Sequence, residues 1–359
     1  EAGTAICIDD VAGGPSESVF QPAFAPDGVL HFVSDRNGWW NLYRSAPGGD
    51  TALCAMDAEF GLPQWVFGMS TWGFAADGRI VAACVADGVW RLGLVEDGGF
   101  VPFEMPYDDI FGVRVCGDVV LFVGASAVIP PSLVRLDLAG GALQVLKSSS
   151  RVPVDVGYLS TPEPIAYPTS NGATAHAFYY PPRNADFRAP EGARPPLIVR
   201  GHGGPTAASS SALSLAIQFW TSRGFAVLDV NYRGSTGFGR PYREALYGQW
   251  GVADVDDVVA GAEALVARGL VDPERLAIRG GSAGGYTTLA ALTFRDCFSA
   301  GASQYGIGDL MALAGDTHKF ESRYLDRLVG SLPDSEALYR ERSPINFTDG
   351  LDCPVIFLQ

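Results

Sequence analysis

The sequence predicts two fold classes in one chain: an all-β segment of repeated, blade-like units over residues 1–154, then over 155–359 an α/β domain with a doubly wound, mostly parallel sheet. Three observations lead there. Up to about residue 150, short runs rich in Val, Leu, Phe and Trp are separated by Asp-Gly and Gly-Gly turns without a sustained helical period, which reads as antiparallel hairpins. Beyond it, strand-like runs alternate with helical stretches, the order that a parallel sheet with crossover helices requires. In that second half one strand-like run breaks into Gly280-Gly281-Ser282-Ala283-Gly284 and resumes as a helix, isolating a single hydroxyl among residues without bulk.

Bulk properties agree with two domains. The 359 residues are 47% hydrophobic and 18% charged, enough apolar material for a substantial core in each half. A formal net charge of −15 argues against a nucleic-acid partner, whose phosphates need clustered Lys and Arg. Cys7, Cys54, Cys84, Cys116, Cys297 and Cys353 lie far apart, without a CxxC pair or histidines at zinc spacing. They are expected to be buried thiols, and neither a metal site nor a cofactor is expected. No apolar run approaches the ~20 residues that cross a bilayer and no signal peptide opens the sequence, so a cytoplasmic protein without a membrane partner is expected. The sequence opens at Glu1 inside what reads as a repeat, which places its expected natural start upstream.

The repeat in the first half is explicit. FAPDGVLHFVSDRNGWWNLYRSAPGG (24–49) aligns with FAADGRIVAACVADGVWRLGLVEDGG (74–99), setting Asp27-Gly28 over Asp77-Gly78 and Trp40-x-Leu42 over Trp90-x-Leu92 at a spacing of 50. A looser copy, VCGDVVLFVGASAVIPPSLVRLDLAGG (115–141), follows. Several strands per unit at a period of roughly 40 to 50 residues describe a β-propeller blade. A ring takes about 4 to 8 blades, so three form part of one. A β-sandwich with accidental similarity is the alternative. Trp39, Trp40 and Trp90 are assigned to the blade cores.

A turn-rich joint, SSSRVPVDVG, opens the second half, with the boundary near 155. IAYPTS and TAHAFYYPP read as a hairpin, and PLIVRGHGG, FAVLDVNYRG, LAIRGGS, AGASQYGI and PVIFLQ as strands. ALSLAIQFWTSRG, VADVDDVVAGAEALVARG and AGGYTTLAALTF read as helices, the first two closed by Gly224 and Gly269. Asp254, Asp256 and Asp257 are assigned to the positive N-terminus of the second helix rather than to a metal.

G-x-S-x-G between a strand and a helix is the nucleophile elbow of α/β-hydrolases, in which the serine occupies a strained turn and its neighbours two positions away must be small. The helix N-terminus beneath Ser282 favours negative charge developing on a substrate oxygen. Glycine-rich βα turns also hold phosphate, but that chemistry asks for G-x-G-x-x-G or a closing Lys-Ser/Thr, which this stretch lacks. His202-Gly203-Gly204-Pro205 follows a strand about 80 residues upstream, where such folds keep the loop of one oxyanion donor. Gly203 or Gly204, with the N–H of Ala283, makes the expected oxyanion hole. His202 is set aside as the general base because on this fold the base follows the nucleophile in the chain.

These residues resemble the prolyl oligopeptidase family of serine peptidases, most closely its acylaminoacyl-peptidase and dipeptidyl-aminopeptidase-like branch. The matching stretches are ESVFQPAFAPDG with SDRNGWWNLYR, PLIVRGHGGPT, VNYRGSTGFGRPYREAL with WGVADVDD, DPERLAIRGGSAGGYTT, and DTHKFESRYLDRLVG with YRERSPINF. They span nearly the whole sequence. The resemblance implies a propeller capping an α/β-hydrolase domain, Ser282 as nucleophile, and Gly203 or Gly204 with Ala283 at the oxyanion hole. It implies cleavage of short peptides or aminoacyl and acylaminoacyl amides, with larger folded proteins excluded. It also implies a catalytic acid just after strand CPVIFLQ and a histidine further on, both beyond Gln359. The histidines present are His31, His176, His202 and His318. An Asp309–His318 pair is the substitute to weigh, against the simpler assignment of Asp309 as a helix cap and His318 as a surface residue.

Asn231-Tyr232-Arg233-Gly234 follows a strand, and the resemblance assigns Tyr232, together with His202, to the substrate site, against plain turn chemistry. The functional reading is a serine peptidase acting through an acyl-enzyme on Ser282, with no cofactor. Its expected partner is a short peptide or aminoacyl amide, and a homo-oligomer is left open. An esterase on the same fold and a non-catalytic propeller interaction protein with a degenerate hydrolase half are the rival readings.

Overall fold

The computed structural model describes residues 11–96, 98–150 and 155–359. They fall into two compact units. The first takes the described residues of Glu1–Gly124 with Ser132–Ser148 and Gly237–Arg240; the second takes those of Ala125–Pro131, Ser149–Thr236 and Pro241–Gln359.

The first unit holds three four-stranded sheets, each running in chain order. They are β1 (Val19–Phe24), β2 (Leu30–Ser34), β3 (Asn41–Arg44) and β4 (Thr51–Ala52); β5 (Trp72–Phe74), β6 (Ile80–Ala86), β7 (Val89–Glu96) and β8 (Gly99–Pro102); and β9 (Asp109–Cys116), β10 (Val119–Ala125), β11 (Ser132–Asp137) and β12 (Leu143–Ser148). The spacing of 50 in the sequence is the offset between the first two sheets. In each, an Asp-Gly turn joins the first two strands: Asp27 Oδ1 accepts the Val29 N–H at 3.0 Å and Asp77 Oδ1 accepts the Arg79 N–H at 3.1 Å. Gly28 and Gly78 follow at φ 82° and 86°, where a side chain is strained. The first two sheets share one apolar core, to which Phe20, Val33, Trp40, Leu42, Trp72 and Ala82 contribute. Of the tryptophans expected in the cores only Trp40 is buried; Trp39 and Trp90 are half-exposed, and Trp72 fills the place instead. The cysteines also depart from expectation. Cys54 and Cys84 are buried, but Cys116 is exposed and Cys297 and Cys353 are intermediate; Cys7 lies outside the described residues.

The second unit is built on a seven-stranded sheet of order β13-β14-β16-β15-β17-β18-β19. The strands are β13 (Glu163–Pro168), β14 (Thr174–Tyr180), β15 (Leu197–Gly201), β16 (Ala226–Asn231), β17 (Leu276–Gly281), β18 (Ala300–Gln304) and β19 (Val355–Leu358). β13 and β14 form the expected hairpin and β14 joins β16 antiparallel, while the other five strands run parallel. Both faces of the parallel strands are covered, which is why AVLDVN of β16 is buried at every position. Alternation along β15 makes the division visible: Leu197 and Val199 join the core of α2 (Ala253–Ala267) and α3 (Ala283–Phe294), whereas Ile198 packs with Ile217 of α1 (Leu215–Thr221).

The acids at the start of α2 do more than complement a helix dipole. Asp254 accepts the Gly251 N–H at 2.6 Å and the Thr287 hydroxyl of α3 at 2.5 Å, and Asp256 pairs with Arg295 at 2.7 Å. Asp257, fully buried, pairs with Arg233 at 2.8 Å and accepts the Thr169 hydroxyl at 2.7 Å. A buried carboxylate needs such partners, so these aspartates lock α2 to its neighbours. Among the described residues no helix is long and apolar enough to cross a membrane.

Candidate active site

The site grows from the end of β17. Ser282 follows Gly281 at φ 55° and ψ −123°, a conformation costing a residue with a side chain about 1–3 kcal/mol. Its carbonyl accepts the Tyr286 N–H at 3.0 Å, starting α3, and its own N–H donates to the Gln304 carbonyl at 3.0 Å. The surrounding glycines are there for clearance. A Cβ at 280 would run into the Gly284 carbonyl, and one at 284 into the Gly201 carbonyl on β15. At 285 it would stand 2.6 Å from the Cα of Gly306. Strand and helix therefore meet at backbone distance, and Ser282 is thrust outward, half-buried, with no hydrogen-bond partner for its Oγ among the described residues.

The loop after β15 arrives beside it. A Cβ on Gly203 would lie 3.5 Å from the Ser282 Cβ, in van der Waals contact, so this backbone passes directly beside the serine. Gly204, at φ 127°, lines a cavity of about 70 Å³ together with Ser282 and Ala283. Trp250, Ile307, Leu313 and Leu325 supply apolar walls. Among the described residues the N–H groups of Gly204 and Ala283 have no hydrogen-bond partner. The residues the motif singled out, Ser282, Ala283, Gly203 and Gly204, are thus brought together.

His202 and Tyr232 are placed differently from the substrate contacts expected of them. The His202 ring lies on the Tyr232 ring, centroids 4.3 Å apart and 17° from parallel. Its Nδ1 is 2.8 Å from the Gly203 carbonyl and its Nε2 2.7 Å from the Ser235 Oγ. A carbonyl only accepts, so Nδ1 carries a proton; burial holds the ring below its usual pKa and hence neutral. Tyr232 has no exposed surface, and its hydroxyl donates to the His202 carbonyl at 2.9 Å. Both act as a base plate under the Gly203-Gly204 loop, with no free polar atom to offer a ligand.

The remaining histidines do not complete a relay. Asp309 caps the helix Leu310–Asp316, accepting from Met311 and Ala312 N–H at 2.8 and 3.2 Å, and His318 is exposed with Nε2 3.6 Å from Glu321. The Asp309–His318 pair therefore does not form. His176 packs edge-on to Tyr242 at 5.3 Å, and His31 packs edge-on to Phe74 at 5.1 Å. No group of three His, Cys, Asp or Glu able to hold a metal exists among the described residues. Trp250, Glu321 and Tyr324, which line the cavity, were not singled out from the sequence. Tyr324 is anchored by Thr206, which gives its N–H at 3.0 Å and shares a hydroxyl hydrogen bond at 2.6 Å. Their only sequence signal was membership of the stretches WGVADVDD and DTHKFESRYLDRLVG, with no local motif to mark them.

Residues 211–359 match the model of the prolyl oligopeptidase family. The chain is also 31% identical over 263 residues to dipeptidyl aminopeptidase BIII of Pseudoxanthomonas mexicana, a match taking 71% of this chain and 38% of that one. The chain belongs to the prolyl oligopeptidase family. Among solved structures of related proteins, a puromycin-hydrolyzing peptidase of Mycobacterium tuberculosis superposes with a TM-score of 0.94 at 42% identity, covering 97% of this chain and 55% of that one. A puromycin hydrolase superposes with a TM-score of 0.93 at 40% identity, covering 97% and 54%. This prolyl oligopeptidase family chain thus spans about half the length of those structures and less of the aminopeptidase.

Proposed function

We propose that this chain is part of a serine peptidase that hydrolyses short peptides and aminoacyl or acylaminoacyl amides, amides like puromycin included, through an acyl-enzyme on Ser282. One observation carries the reading: a strained, unbonded serine hydroxyl shares a small cavity with two unpartnered backbone N–H groups. Ser282 Oγ attacks the substrate carbonyl, and the N–H groups of Ala283 and Gly204 receive the oxyanion, in a setting where each donor contributes about 3 kcal/mol to the transition state. The Oγ–acyl bond forms as the C–N bond breaks, and the serine proton passes through a general base to the leaving amine. Water then releases the acid. No histidine hydrogen-bonds the Ser282 hydroxyl among the described residues, and base and acid are read as lying outside these 359 residues, in keeping with the greater length of the relatives. The three four-stranded sheets are read as blades of a β-propeller, supported by their common strand order and the matched Asp-Gly turns.

The test is pre-steady-state hydrolysis of an aminoacyl 4-nitroanilide by the full-length protein. A burst of nitroaniline, lost in Ser282→Ala with folding intact, is expected. A burst that survives the substitution ends the assignment. Hydrolysis of short acyl esters without any amide turnover selects the esterase reading.

A further inference from the structure

We propose that Glu321 holds the ammonium group of the substrate, the α-amino group of the residue whose carbonyl Ser282 attacks, so that the enzyme selects unacylated aminoacyl amides. The inference rests on the serine hydrolase reading above and narrows its substrate class.

The cavity at Ser282 is lined by backbone and by neutral side chains, with Glu321 as its one carboxylate. A carboxylate has no packing reason to face walls made of Trp250, Ile307, Leu313 and Leu325, because charge beside apolar surface is costly unless a partner compensates it. The protein supplies little. The Thr317 hydroxyl donates to Glu321 Oε2 at 3.4 Å, and His318 Nε2 stands 3.6 Å away on an imidazole that is 68% exposed. No Lys or Arg pairs with Glu321 among the described residues. The side chain keeps 32% of its surface, so it is open to a ligand yet held at the cavity.

Position favours the α-amino group over a longer amine, because Glu321 and Ser282 line one small cavity of about 70 Å³. With Ser282 and Glu321 lining the same space, an ammonium at the carboxylate leaves the adjacent carbonyl within reach of the hydroxyl. An N-acyl group removes the charge and adds bulk at the same point.

The experiment compares Glu321→Gln with the unaltered full-length protein on alanyl 4-nitroanilide and its N-acetyl form. The variant is expected to lose 10- to 100-fold in kcat/KM on the free amine, chiefly through KM, and to stay within twofold on the acetylated substrate. Equal losses on both, or on neither, overturn the proposal. N-acetyl-lysyl and N-acetyl-norleucyl anilides locate the charge: a preference for lysine abolished by Glu321→Gln moves the ammonium to the side chain and overturns the α-amino assignment. Calorimetric binding of alaninamide to the Ser282→Ala protein separates this proposal from the reading beneath it. Binding weakened at least tenfold by Glu321→Gln upholds the anchor even where hydrolysis fails, and binding unaffected by the substitution removes it even where hydrolysis stands.

Discussion

His202 offers the sharpest prediction, because its role follows from a single peptide plane. Nδ1–H donates to the Gly203 carbonyl at 2.8 Å. The Gly203–Gly204 peptide is planar, so holding that oxygen fixes the opposite direction of the Gly204 N–H, the donor read here as half of the oxyanion hole. His202→Ala removes the anchor, worth about 1 kcal/mol as a hydrogen bond, and frees the donor to tilt; losing the donor entirely costs about 3 kcal/mol. The acylation rate is therefore expected to fall by about 5- to 150-fold, with KM nearly unchanged. Removing the ring from Tyr232, 4.3 Å away, also lowers the melting temperature. His202→Asn separates the two effects, since its amide N–H₂ stands near the former Nδ1 and again donates to Gly203. Stopped-flow acylation with an aminoacyl anilide, read beside thermal melts, is the assay. An alanine variant that acylates at the original rate, or an asparagine variant as slow as alanine at equal stability, refutes the reasoning.

Other consequences are equally direct. Ser282→Gly relieves a positive φ of 55° and is expected to raise stability by about 1 kcal/mol while ending acylation; an unchanged or lower melting temperature contradicts the strain argument. Gly284→Ala drives a Cβ into the Gly201 carbonyl and is expected to lose about 1–3 kcal/mol along with activity, so a variant of normal stability shows that the strand and helix are not so closely opposed. Asp254 carries a pH signature. Burial, the leading cause, lifts its carboxyl from 3.8 to about 6, so between those values the folded chain keeps a proton that the unfolded chain has lost. The stability it contributes is complete below about pH 4 and is lost as pH rises through 6, by about 3 kcal/mol at most. Denaturant titrations should find Asp254→Asn gaining on the unaltered protein across that window, and a constant difference between the two rules the effect out.

Much of the site was legible because its chemistry is local. Ser282 and its glycines occupy five consecutive positions, and the clash each glycine avoids lies in the turn itself or one strand away. The repeat at 27–28 and 77–78 was equally readable, since an Asx turn closes within two residues. The stacking of Tyr232 on His202 was not legible for the opposite reason: a loop histidine and tyrosine after strands look alike whether they face solvent or stack on one another, and only the pairing of β15 with β16 brings those strand ends side by side. Asp257 follows the same rule, its partner Arg233 being 24 positions earlier, just past the end of β16.

The sequence alone determined the alternation of strands and helices, the position of the elbow serine and the need for small residues around it, because backbone sterics and hydrophobic period act over a few neighbours. Which residues wall the cavity at Ser282 was decided only by tertiary structure. Gly204, Trp250 and Glu321 come from segments separated by dozens of positions, and their meeting is set by how helices settle on a completed sheet, where burial of apolar surface rather than any local preference fixes the arrangement.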